Sequence, residues 1–362
     1  MSSFLHQRNL HNPFSKFPSS PRSSSSSKKP LSLSLVGPTA LLALLSVVVV
    51  VGVFCPWLGN AVFSFSSAPP ASKWSGYTLQ QALSFVATNS SVIVCIVSQP
   101  YLPFLNNWLI SIAMHRRHHM VLVIAEDYAS LHRVNQLWPG HAVSSLPFLT
   151  PMPLISLALS FPKPAITKSL LKLARRPSHL LKILELGYSV MYNDVDMVWL
   201  ADPFPYLEGN HDVYFTDDMN AIKPLNHSHD LPPPGKKGRP YICSCMIFLR
   251  PTNGAKLILK KWIEELQMQP WSKTMKSNDQ PAFNWALMKN AKEADLYLLP
   301  QAAFPTGGLY FKNKTWVAET KGMHVIIHNN YIVGFEKKIK RFRDYGLWLV
   351  DDHAQESPLG RL

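Results

Sequence analysis

The chain has 362 residues, enough for one large domain or two modest ones. Hydrophobic residues make up 47% and charged residues only 16%, which excludes a wholly disordered or collagen-like chain and leaves a shortfall of charge for a lipid-contacting stretch to explain. Lys and Arg number 36 against 22 Asp and Glu, an excess of 36 − 22 = 14, but Arg8, Lys16, Arg22, Lys28 and Lys29 crowd the N-terminal tail and the first acidic residue is Glu126, which argues against nucleic acid as the partner.

Residues 1–34 read as a basic tail with a low-complexity serine run, Ser23–Ser27. From Pro30 to Ser72 no residue is charged, and Leu35–Phe54 (LVGPTALLALLSVVVVVGVF) is apolar on every side. About twenty helical residues at 1.5 Å each match the roughly 30 Å hydrocarbon core of a bilayer. A buried core helix would need a polar face, and a cleaved signal peptide a shorter apolar run and a shorter leading tail. The expectation is a retained signal-anchor, single-pass and type II, with the basic tail cytosolic and the remainder lumenal. Residues 55–90, rich in Ser, Ala, Pro and Gly, read as a stem, and 91–362 as the lumenal domain. Sequons at Asn89, Asn226 and Asn313 fit a secretory lumen.

Within 91–362, Ser91–Ser98 (SVIVCIVS) is an uncharged β-branched run suited to a strand buried on both faces. A helix over Leu102–His115, a strand over Met120–Ala125 and a helix over Ala129–Trp138 follow, a βαβ rhythm that predicts an α/β fold. One or two helices over Lys163–Leu186 stop at Gly187, and Tyr188–Tyr192 is a strand. Further strands are expected at Tyr214–Thr216, Tyr241–Leu249, Leu296–Leu299 and His324–Ile327, and helices at Asn253–Met268 and Ser277–Met288, with the Pro-rich 227–240 segment a loop. Cys243 and Cys245 sit two apart on one strand and share a face. Either could pair with Cys95, or all three could be buried thiols. No zinc spacing is present.

The chemistry concentrates in Tyr192-Asn193-Asp194-Val195-Asp196-Met197. Two carboxylates beyond the carboxyl end of a strand lie where open α/β sheets bind ligands, and together they can hold a hard divalent cation against phosphate oxygens. The alternative is a turn in which both hydrogen-bond nearby backbone. His328, closing a strand-like run, is the third candidate ligand, and an imidazole with two carboxylates suits Mn2+ better than Mg2+. The clusters His115/His118/His119 and His227/His229/Asp230 read as surface features. Ser277-Asn278-Asp279-Gln280-Pro281 opens a helix: Ser277 and Gln280 fit a capping box, and the alternative places Asp279 and Gln280 beside a reacting sugar. Gly334 and Lys337 follow His328, offering flexible backbone and a cation, and Lys182 is a second candidate point charge.

Leu184–Phe204 (LELGYSVMYNDVDMVWLADPF), Ser277–Leu287 (SNDQPAFNWAL) and the C-terminal HNNYIVGFEKKIKRFRDYGLWLVDD together resemble the plant rhamnogalacturonan α-1,3-xylosyltransferases, nucleotide-diphospho-sugar transferases. The resemblance runs from about Ser91 to the C-terminus. It implies a GT-A fold, Rossmann-like in its nucleotide half, in the Golgi membrane. It implies retaining transfer of xylose from UDP-α-D-xylose to the 3-OH of L-fucose in pectic rhamnogalacturonan II. Asp194 and Asp196 match the metal motif, and His328 resembles the C-terminal metal-binding His of related retaining transferases. Gly334 and Lys337 keep a Gly-to-Lys spacing used there, although Gly334 lies six residues after His328. Mn2+ (or Mg2+) is the implied cofactor, with a UDP-sugar donor and a fucose-containing glycan acceptor as partners. The rivals are a Golgi arabinosyl- or galactosyltransferase, a non-catalytic membrane-tethered glycan-binding protein on the same fold, and a metal-dependent phosphohydrolase.

Overall fold

A computed structural model of the protein describes residues 77–145, 175–233, 235–268 and 279–362. The chain divides into two units, Met1–Pro70 and Ala71–Leu362, and every described residue belongs to the second. The expected tail, the Leu35–Phe54 anchor and most of the stem lie outside the described residues, as do 163–174 of the expected helix and Ser277-Asn278. Among the described residues no helix is long and apolar enough to cross a membrane.

The strands are β1 (Ser91–Val97), β2 (Val121–Ala125), β3 (Ala142–Ser144), β4 (Ser189–Asn193), β5 (Met197–Trp199), β6 (Val213–Asp217), β7 (Ile242–Leu249), β8 (Leu296–Leu298) and β9 (Ile326–His328). The helices are α1 (Leu79–Val86), α2 (Leu102–Met114), α3 (Tyr128–Leu137), α4 (Arg175–Glu185), α5 (Asn253–Met268), α6 (Gln280–Lys289), α7 (Gly307–Lys312), α8 (Lys314–Glu319), α9 (Phe335–Asp344) and α10 (Val350–His353). Residues 79–86, read from composition as the end of a stem, form α1: Thr78 and Gln81 close a capping box, and Ala82, Leu83 and Val86 are buried in the core.

Seven strands make one sheet in the order β3-β2-β1-β4-β7-β6-β8. The βαβ rhythm holds on one side, where β3, β2, β1 and β4 run parallel. Beyond β4 the sheet is mixed, because β7 pairs antiparallel with both β4 and β6. Side chains alternate across the sheet: Ile93, Cys95 and Val97 of β1 enter one core with Trp108 of α2 and Phe342 of α9. Val92 and Val94 enter the other with Trp262 of α5 and Phe283 of α6. Burial on both faces explains why β1, β2 and β7 read as continuous apolar runs. Outside this sheet, β5 pairs antiparallel with β9, matching Met197 to His328.

Cys243 and Cys245 are bonded to each other, and Cys95 is a free, buried thiol, so neither joins Cys95. The cause lies in the register of β7. The β6 pairing jumps from Phe215↔Ile247 to Thr216↔Cys243, a bulge that leaves extra residues on β7. Alternate residues of an extended strand lie about 6.6–6.8 Å apart. Here the two Cα atoms are 5.3 Å apart, well within reach of a bridge. Cys95 faces the same core, and burial pushes its thiol well up.

Of the histidines outside the cleft, His229 donates through Nδ1 to Leu298 O (2.7 Å) and stacks on Tyr297. His141 is 5% exposed, stacks on Trp138 at 3.5 Å and contacts Val121 O at 2.8 Å. Burial lowers its imidazole to about 4, outweighing the bond to Val121 O, and His118 and His119 lower it further. The folded value lies below the unfolded one, so the unfolded chain takes up the extra proton first. Stability is full above pH ~6.5 and declines as the pH falls toward ~4. At pH 5 this group is expected to cost about 2 kcal/mol. Urea midpoints at pH 7 and pH 5 measure the loss, and His141→Phe, which keeps a ring on Trp138, should flatten the difference.

Candidate active site and metal centre

Asp194 and Asp196 follow β4 at the carboxyl end of the parallel strands and sit at the turn into β5. Two backbone bonds fix this turn: Asp194 N donates to Cys245 O (2.8 Å), and Asn329 N donates to Asp196 O (3.0 Å). The β5–β9 ladder thus brings His328 beside the aspartates although it is remote in sequence. Gly307 permits the packing behind it. A Cβ there would stand 2.7 Å from His328 O and 2.6 Å from Asn330 O, closer than side-chain carbons approach backbone.

One ligand atom each from Asp194, Asp196 and His328 lie within 4.8 Å of one another. Atoms bound to one ion at roughly 2.0–2.6 Å lie no more than about 4–5 Å apart, so this donor set fits a divalent cation, and its two oxygens and one nitrogen suit Mn2+. Each carboxylate has one oxygen engaged by the protein. Tyr192 OH donates to Asp194 Oδ1 at 2.7 Å, and Lys338 Nζ donates to Asp196 Oδ2. Asp196 Oδ1 faces His328 Nε2 at 3.5 Å. Burial alone would raise the Asp196 carboxyl, but His328 and Lys338 outweigh it and hold it far below the usual carboxylate range.

Asp279 is the N-cap of α6, yet its side chain makes no capping bond. The carboxylate turns inward, accepting from Ser244 Oγ (3.1 Å) and pairing with Arg176 Nε (3.2 Å). Burial pushes its carboxyl up; Arg176 opposes the rise and Asp194 adds to it. Gln280 donates through Nε2 to Asp218 Oδ2 (2.8 Å), and Asn330 Nδ2 donates to Asp218 Oδ1 (2.7 Å). Asp218, after β6, is also raised by burial.

Arg176, at the start of α4, joins these groups. Its Nε meets Asp279, Nη2 lies 3.7 Å from Asp194 Oδ1, Nη1 donates to Ser244 O (3.0 Å), and the guanidinium rests 4.9 Å over the Tyr192 ring. Burial opposes its charge, but Asp279, Tyr192 and Asp194 raise its pKa beyond the ordinary value. Neither Arg176 nor Asp218 was expected from the sequence; the signals present were the Arg175-Arg176-Pro177 helix start and the Asp217-Asp218 pair closing a strand.

Lys182 lies exposed in the last turn of α4, and Lys337 lies exposed in the first turn of α9. Of the lysines, it is Lys338 that reaches the aspartates, at Asp196 Oδ2. Gly334, at φ +112°, turns the chain into α9, a backbone conformation that L side chains rarely adopt. Asn329, fully buried, accepts from Arg341 Nε (2.7 Å) and donates to Lys338 O (3.0 Å), locking α9 to the β9 end. Of the sequon residues, Asn89 and Asn226 are exposed, and Asn313 caps α8 by accepting from Trp316 N at 3.1 Å.

A cleft of about 270 Å³ opens beside the aspartates, lined by Ile96–Ser98 at the carboxyl end of β1, Tyr101, Glu126 after β2, Asp194–Asp196 and Lys338. It combines an apolar strand end and a half-exposed aromatic ring with a cation-binding carboxylate pair and a lysine, the complement of a base joined to a diphosphate.

Residues 116–342 match the nucleotide-diphospho-sugar transferase family. The UDP-D-xylose:L-fucose alpha-1,3-D-xylosyltransferase MGP4 of Arabidopsis thaliana is 66% identical, covering 99% of this chain and 98% of that protein. The UDP-D-xylose:L-fucose alpha-1,3-D-xylosyltransferase 1 of the same plant is 62% identical over 96% of this chain and 97% of its own. Among solved structures, the galactosyltransferase LgtC in complex with donor and acceptor sugar analogs is 14% identical, with a TM-score of 0.41 over 71% of this chain and 94% of that one.

Proposed function

We propose, from the premise that this chain belongs to the nucleotide-diphospho-sugar transferase family, that it transfers xylose from UDP-α-D-xylose to the 3-OH of L-fucose with retention of configuration. The acceptor is the fucose of pectic rhamnogalacturonan II. The domain is of GT-A type, Rossmann-like around the nucleotide, held in the Golgi lumen by the N-terminal anchor as a single-pass type II protein. The observation that carries the catalytic reading is the convergence of Asp194, Asp196 and His328 beside the cleft, with Asp279 tied to Asp194 through Arg176.

Asp194, Asp196 and His328 would hold a Mn2+ ion, which when bound would supply Lewis-acid neutralisation of the charge that grows on the departing diphosphate. Lys338, already beside Asp196, adds a fixed positive charge at the same end of the cleft. Tyr101 offers an aromatic face to the base, and Ser98 and Glu126 offer polar groups. The xylosyl ring gains oxocarbenium character as its bond to UDP lengthens. Asp279 meets that charge with a carboxylate paired to Arg176, which opposes the rise that burial imposes on it. Gln280 and Asp218, tied together and to Asn330, present polar groups to sugar hydroxyls.

The test uses the purified chain with UDP-[14C]xylose, methyl α-L-fucoside and Mn2+. Labelled xylosyl-fucoside should form, and EDTA should suppress it to background, with Mn2+ restoring it. Undiminished transfer after thorough chelation overturns the metal assignment. Preference for UDP-arabinose or UDP-galactose in a donor screen overturns the donor, and UDP release at full rate without acceptor points to hydrolysis.

A further inference from the structure

The disulfide Cys243–Cys245 lies against the ring of His328, on the side away from the aspartates. Cys245 Sγ is 3.3 Å from Nδ1 and Cys243 Sγ is 3.9 Å from it, while Nε2 lies 3.5 Å from Asp196 Oδ1. Metal-ligating histidines ordinarily donate their second N–H to a carboxylate, a backbone carbonyl or water. Here the two sulfurs occupy that place among the described residues. A disulfide sulfur has no hydrogen to give. The contact is attractive only when Nδ1 carries the proton, and in a singly protonated ring this leaves Nε2 as the lone pair, aimed at the aspartates. Two lone pairs facing each other across 3.5 Å repel unless a cation lies between them. The sulfurs therefore select the tautomer that a cation site needs. Both cysteines are at most 5% exposed and both are anchored by the β7 bulge, so the ring has a rigid backing.

We propose that the Cys243–Cys245 disulfide is a positioning group for the divalent-ion site: it holds His328 with Nδ1–H on sulfur and Nε2 toward Asp194 and Asp196, and it withholds two soft ligands from the same ring. The proposal rests on the metal reading above. Cleavage by a dithiol breaks the S–S bond, transfers two electrons and two protons to give two thiols, and closes the reductant to its own disulfide. Cys243, Cys245 and His328 then offer three atoms within 4.8 Å of one another, a soft-ion set for Cd2+ or Zn2+ that competes for His328.

The experiment compares the oxidised wild-type chain with two double variants. Cys243→Ala/Cys245→Ser retains a hydrogen-bond acceptor at residue 245, and Cys243→Ala/Cys245→Val keeps similar bulk without one. Mn2+ affinity is read by electron paramagnetic resonance of the free ion, and the His328 tautomer by 15N shifts of metal-free, histidine-labelled protein. The valine variant should bind Mn2+ about 10-fold more weakly, as loss of a histidine's outer partner does elsewhere, and its His328 should leave the Nδ1–H form. The serine variant should stay within about 3-fold of wild type, which separates the hydrogen bond from a general effect on folding. Dithiothreitol-treated wild type should acquire a Cd2+ site with thiolate-to-metal absorption that neither variant shows. Equal Mn2+ affinity and an unchanged tautomer in the valine variant overturn the positioning role while leaving the metal reading intact. Failure of the oxidised wild type to bind Mn2+ overturns both.

Discussion

Asp196→Asn is expected to lower kcat for xylosyl transfer by at least about 10²–10³-fold and to abolish tight Mn2+ binding, with the fold retained. The amide keeps the shape of the side chain and removes its charge. In the native site that charge lies against the Lys338 ammonium, and the carboxyl is held below the usual carboxylate range despite its burial. The variant loses one of two anionic ligands and leaves Lys338 without its partner. Lys338 is about a fifth exposed and can turn to water, so the cost to folding is small beside the cost to catalysis. Steady-state kinetics with UDP-xylose and a fucoside, together with a urea midpoint, separate the two effects. Turnover within 10-fold of wild type would remove Asp196 from the reaction.

Arg176→Met carries the second large effect, and it falls on stability and activity together. The guanidinium is caged by Asp279, Asp194, Ser244 O and the face of Tyr192. Breaking a buried pair from one side leaves an uncompensated charge, and a loss of about 2–4 kcal/mol is expected at neutral pH. Asp279, 5% exposed and already raised by burial, would rise further once the opposing cation is gone. In the wild type the ionised carboxylate is lost as the pH falls, so the acid limb of kcat/KM lies above the ordinary carboxylate range, and in Arg176→Met it moves further toward neutrality. Adding Asp279→Asn removes the stranded charge and should restore most of the stability without restoring turnover. A single variant as stable as wild type, with an unmoved acid limb, would show that the cage contributes little.

The parts of this site that sequence exposes are those whose signal is local. Asp194 and Asp196 follow a strand, and the strand is legible because burial on both faces requires an uninterrupted apolar run. His328 closes a second such run. Lys338 shows where local reading stops. Lys337 keeps the Gly-to-Lys spacing of related transferases, but residues on a helix advance by about 100° each, and the start of α9 at Phe335 sets the phase. Lys338 shares its face with Arg341 and Phe342, both buried, whereas Lys337 faces solvent. The disulfide was illegible for a related reason. Alternate residues on a regular strand sit at the edge of bonding range, and only the pairing of β7 with β6 creates the bulge that brings Cys243 and Cys245 together.

By itself the sequence determined the α/β class, the strand that delivers the two aspartates, and the residue types for a hard cation and a phosphate-bearing ligand. These are written in hydrophobic period and in residue chemistry, which act over a few neighbours. Tertiary structure alone decided the partners: Arg176 against Asp279, Lys338 against Asp196, Gln280 and Asn330 on Asp218, and sulfur behind His328. Each of these pairs joins segments far apart in the chain. Charge and hydrogen bonding act over a few ångströms, and the chain records no distance between residues until the sheet has set its order and register.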